Sequence, residues 1–150
     1  MTYGEGRYGL GQILARYGQN GGHFYFGVFQ TEYGPDDPGL EAVTSDRFAL
    51  FALSMDALLY HEYWPIIGST PVPNDAIRWP ESKIATAPGH YVVEDAFGEV
   101  LRTATAKDVA LLPYRTVVAP IRLQHAFEAL HGARNWEPEY DALRVSGTAA

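Results

Sequence analysis

Five histidines, His23, His61, His90, His125 and His131, are the residues best suited to bind a metal or carry a proton. No two of them stand four apart, the spacing that turns two imidazoles to one face of a helix. His61-Glu62 also lacks the second histidine of a zinc-protease helix. They read as surface or partly buried imidazoles. Ser54, Ser69, Ser82 and Ser146 occupy no Gly-x-Ser-x-Gly turn, so no activated serine is expected. Gly4-x-Gly6-x-x-Gly9 has the dinucleotide-binding spacing. That motif must follow a strand and open a helix, and here it runs into a strand pattern instead. The carboxylate pairs Asp36-Asp37 and Glu94-Asp95 lie among turn residues and read as solvated, not as acids facing each other across a cleft. The aromatic run from Phe24 to Phe29 has no basic groove beside it and reads as core, not as a stacking platform for single strands. No catalytic or metal-binding apparatus is therefore recognisable in the sequence, and no cofactor is expected.

These side chains must be positioned by one domain of ordinary size. The chain has 150 residues, 47% of them hydrophobic and 19% charged, a composition that folds around a single core. We divide it into a β-rich domain over 1–137 and a small, polar tail over 138–150 that is expected to be partly mobile. The absence of cysteine removes disulfides and thiolate chemistry and fits a reducing compartment. No signal-peptide pattern and no membrane-length apolar run is visible, so the expected location is the cytoplasm. A net charge of -7 with only 11 Lys and Arg argues against nucleic acid and points toward a basic partner.

Period-two patterning predicts a strand over Arg7–Tyr17, with Gly9 and Gly11 on the face where another backbone or a bulky aromatic can approach closely. Gln19-Asn20-Gly21-Gly22 turns it into a second strand, His23–Thr31. Two prolines and two glycines make Tyr33–Asp46 an exposed acidic loop. Phe48–Met55 is apolar on both parities and suits a buried strand, with a short helix through Asp56–Leu59 as an alternative. Trp64–Pro73 is extended and punctuated by prolines. Tyr91–Glu94 and Glu99–Ala104 form a further hairpin, Thr105 caps a short helix that stops at Pro113, Tyr114–Val118 resumes the sheet, and Pro120 opens a helix ending before Gly132. The fold class expected is α+β, mainly β: a strongly curved antiparallel sheet or partial barrel built from hairpins, with one short helix and one C-terminal helix packed on it.

Arg7-Tyr8-Gly9-Leu10-Gly11-Gln12-Ile13-Leu14, then Trp64-Pro65-Ile66-Ile67-Gly68-Ser69-Thr70-Pro71, then Arg102-Thr103-Ala104-Thr105 before a capped helix, resemble in order and spacing the bacterial immunity protein 26 family. The resemblance extends to about Ala119. It implies a cytoplasmic antidote that binds a cognate protein toxin and catalyses nothing, with the matching residues serving as scaffold. Members of the family often carry one more strand before the glycine-rich one. Here Arg7 comes almost at once, which leaves the first sheet edge open to strand addition by another chain. Asp36, Asp37 and Glu41, with Tyr25 and Tyr33 as exposed aromatics, are the candidate contacts for a toxin of basic, nuclease-like type. The rival expectations are a small-ligand-binding or regulatory domain whose pocket would use Tyr8, His61 and Trp79, and a hydrolase whose spatial triad leaves no sequence signature.

Overall fold

Alternation of large and small residues along Arg7–Arg16 (β2) builds the first long strand. It pairs antiparallel with His23–Tyr33 (β3), which pairs in turn with Phe48–Met55 (β4). In the computed structural model, which describes residues 1–4, 6–18, 21–36, 43 and 46–145, Thr2–Tyr3 (β1) adds a short strand outside β2. The four strands form one antiparallel sheet in the order β1-β2-β3-β4. Ser82–Ala87 (β5), His90–Glu94 (β6) and Val100–Thr103 (β7) form a second, three-stranded sheet. The fold is thus α+β and mainly β, in two separate open sheets. The expected hairpins are present, β5 is a strand the sequence pattern did not single out, and β1 partly occupies the edge expected to be open.

Ala57–Tyr60 (α1) follows β4 directly, so the alternative helix after this strand does form. Ala106–Leu111 (α2) carries a complete capping box. Thr105 Oγ1 accepts from the Asp108 backbone N–H, and the Asp108 carboxylate accepts from the Thr105 N–H. Pro120–Leu130 (α3) starts on its proline and buries Leu123, Ala126 and Phe127 against the first sheet. Tyr114–Val118 does not resume the sheet as a strand. It touches it through two single bridges, Lys83 to Tyr114 and Ser54 to Val118, because Pro113 and the turn into Pro120 leave too little chain for a ladder.

One face of the first sheet presents Phe26, Val28, Leu50 and Ala52 to α3. Phe127 lies where Gly9 has no side chain; a Cβ built on Gly9 would enter its ring. This is the close aromatic approach expected at that glycine. The chain from 138 onward differs from the expected tail. Pro138–Leu143 forms a 3-10 helix that buries Tyr140 and Leu143 in the same core, and Val145 donates its N–H to the Ala49 carbonyl. Two large apolar residues three apart suffice to hold so short a helix against a neighbour. Ser146 to Ala150 lie outside the described residues. The opposite sheet face packs Leu14, Tyr25 and Leu53 against Val72, Ile77, Trp79 and Ala96, which joins the second sheet to the first.

Candidate binding edge and cavity

The segment after α1 is shaped to cross a sheet edge. Glu62 has a positive φ of 60°, which reverses the chain after the helix, and the Trp64 N–H then donates to the Leu58 carbonyl at 2.9 Å. Trp64 is buried against Phe26, ring centroids 6.1 Å apart, and its indole N–H donates to Gln124 Oε1 of α3 at 3.0 Å. Pro65 to Ser69 are exposed. At the far end the Gln12 carboxamide of β2 donates to the Thr70 carbonyl at 3.0 Å, to Thr70 Oγ1 at 2.9 Å and to the Pro71 carbonyl at 3.2 Å. Gln12 pairs with Gly27 in the β2–β3 register, and its neighbours Gly11 and Ile13 pair with Val28 and Phe26. Successive residues of a strand point to opposite faces. The strap therefore begins on the α3 side at Trp64 and is held on the other side at Thr70, passing over the edge of β2.

Between strap and sheet lies a cavity of about 330 Å³. Its walls include Ile13, Phe26, Val28, Leu59, Trp64 and Ile67, and the glycine backbone of Gly9, Gly11 and Gly27 contributes as well. Gln12, Ser69 and Thr70 supply polar groups. Thr2, Gly11, Ile13 and the strap residues 65–69 are the exposed members, so the cavity opens along this edge. Outward from it the chain shows a run of large apolar surface: Tyr60 is 79% exposed, Tyr63 70%, Ile66 75% and Ile67 56%. Two segments distant in sequence, 7–14 and 64–71, thus meet at one place.

A second polar cluster ties the two sheets together. Tyr17 after β2 donates its hydroxyl to Glu94 Oε2 of β6 at 2.9 Å, and Arg115 donates to both and lies over the Tyr17 ring. Burial, with the adjacent Asp95 second, holds the Glu94 carboxyl above its usual range, and burial pushes the Arg115 guanidinium down. The Glu94 side chain is only 13% exposed, so the expected solvated turn carboxylate is corrected here to an inter-sheet ion pair. Asp95 does serve the turn, accepting from the N–H groups of Phe97 and Glu99.

The residues expected to touch a partner fall in different places. Tyr25 is 3% exposed, stacks on Phe51 and meets Trp79 edge-on, and burial drives its phenol up to about 12. Tyr33 is 5% exposed, stacks on Tyr8 and donates to Asp46. Their expected exposure is corrected: β3 is the central partner of β2 and β4, and both rings are core. Asp36 is exposed, while Asp37 and Glu41 lie outside the described residues. Nor do Tyr8, His61 and Trp79 share a pocket. Tyr8 packs with Tyr33, Trp79 with Tyr25 and Phe51, and His61 is exposed beside Tyr60. Among the described residues no group of three or more His, Asp or Glu comes together as a metal site, and no helix is long and apolar enough to cross a membrane. The strap surface was signalled only by the apolar pair Ile66-Ile67 set between prolines. Compared with protein-family models, curated proteins and solved structures, the chain matches none.

Proposed function

We propose that this chain is an immunity protein that acts in the cytoplasm by binding and neutralising a cognate protein toxin, without catalysis of its own. The observation that carries the reading is the run Tyr60, Tyr63, Ile66 and Ile67, four large apolar side chains left in water, the last two on a strap anchored at both ends and the first two just before it. Aromatic and aliphatic anchors on a firmly held element are what a tight protein interface needs at its centre, where a few residues dominate the affinity. The resemblance to the immunity protein 26 family supports the same reading through the two segments that meet at this edge. The excess of acidic residues suits a basic toxin, whose approach it accelerates. Asp36, together with Asp37 and Glu41, is assigned this steering role, and Tyr25 and Tyr33 support the sheet behind it.

The test is co-expression with the toxin domain encoded beside this gene, reading growth rescue and pull-down. Rescue by the native chain, with at least a tenfold loss of affinity in Tyr63→Ala or Ile66→Asp, is the expected result. Toxicity that persists beside a folded native chain would overturn the proposal. Asp36→Lys should slow association and leave dissociation unchanged; an unaltered association rate removes Asp36 from the interface.

A further inference from the structure

We infer that the cavity beneath the strap is a binding site for a neutral, largely apolar small molecule, independent of any protein partner. Size comes first. A dry cavity of roughly 150 Å³ accepts benzene, and this one, at about 330 Å³, is about twice that. It therefore has room for a two-ring aromatic or an aliphatic chain of comparable bulk.

Charge decides the class. In a chain of net charge -7, none of the described lining residues bears a charged side chain. Met1 also lines the wall; its α-amino group donates to the Gly9 carbonyl at 3.1 Å, and burial lowers it below the ordinary amino value, which favours its uncharged form. An ionised ligand would lose its hydration without gaining a counter-charge among the side chains, a cost that selects against it. The polar groups present suit one hydrogen-bonding head: the Ser69 hydroxyl and the carbonyl side of the Gln12 carboxamide, whose N–H groups are committed to the strap. Backbone at Gly11 forms part of the wall where a side chain would fill it, and a Cβ there would already stand 3.1 Å from the Gly27 carbonyl. The ligand enters past Ile13, Ile66 and Ile67, exposed apolar residues of the lining.

The experiment titrates the full chain alone with naphthol, and separately with naphthoate, following backbone amide signals and the Trp64 indole N–H by NMR. Saturable shifts at Gly11, Gly68 and Trp64, with naphthoate at least tenfold weaker, are expected. Ile67→Asp puts a charge at the mouth on an already exposed residue, so the fold is kept; it should weaken naphthol at least tenfold, while Leu101→Asp on β7 should change nothing. No saturable shift at the cavity, equal or tighter binding of naphthoate, or indifference to Ile67→Asp would each overturn the site. No toxin enters the measurement, so its outcome is separate from that of the immunity proposal.

Discussion

Gln12 and Thr70 are 58 positions apart in sequence, yet the carboxamide of the first holds both the carbonyl and the hydroxyl of the second. A single side chain on β2 thereby fixes the far end of the strap. Gln12→Ala should cost about 1 kcal/mol of global stability, the net worth of such bonds. Its larger effect should be local: amide exchange over 66–69 should rise well above that of the β2–β3 ladder. Equal protection of the strap in both proteins would show that Trp64 alone suffices.

Gly9 and Phe127 form a pair of opposite design. Gly9→Ala forces the ring aside and should destabilise by about 1–3 kcal/mol, the range for overfilling a packed site. Phe127→Leu alone should cost about 1–2 kcal/mol through lost burial. Because the two side chains compete for one volume, the double variant should be more stable than the sum of the single losses, as denaturant unfolding would reveal.

Arg115→Met strips Glu94 of its cation while leaving the carboxylate largely buried. A loss of about 1–3 kcal/mol at neutral pH is expected, below the full cost for a completely buried pair because Arg115 keeps some solvent contact. Burial already holds the Glu94 carboxyl above its ordinary value. A raised folded-state value means that the folded chain binds the proton more tightly, so the associated stability is full below the ordinary carboxyl value and lost as pH rises through the folded one. The Met variant should therefore recover part of its deficit on mild acidification, and Glu94→Gln in the same background should remove that recovery.

Tyr25 titrates near 12 against an ordinary 10.0, because its phenolate would form in the core beside Asp95 and Glu94. The sign is the same: the stability linked to its neutral form is complete below about pH 10 and disappears as pH climbs toward 12. Tyr33, Tyr91 and Tyr140 are also raised, so near-ultraviolet absorbance should show a late-titrating component that shrinks by one tyrosine in Tyr25→Phe, and that variant should resist alkaline unfolding longer.

Local pattern carried the reading of the long strands, the Thr105 cap and the Pro120 helix, since their signals lie within one or two turns of chain. It also carried the bare face at Gly9, where the absence of a side chain announces a close neighbour. The side-chain roles were hidden. Tyr25 and Tyr33 belong to a strand flanked on both sides, and exposure of a tyrosine depends on what is laid over it by Trp79 or Tyr8, far away in sequence. The strap was equally out of reach: Pro65 and Pro71 mark it as irregular, but only the Gln12 to Thr70 bonds say which edge it crosses.

The outer edge of β4 is closed by two late pieces of chain: Val118 bridges Ser54, and Arg144 bridges Leu50. The ribosome completes β1 to β4 at residue 55, before Val118 and Arg144 have been made. Throughout that interval the nascent sheet displays unpaired edge groups and an apolar face awaiting Leu123, Phe127 and Leu143. The vulnerable period of this protein is therefore its own synthesis, and a stall in translation between positions 55 and 118 would leave that face and that edge open to misassembly.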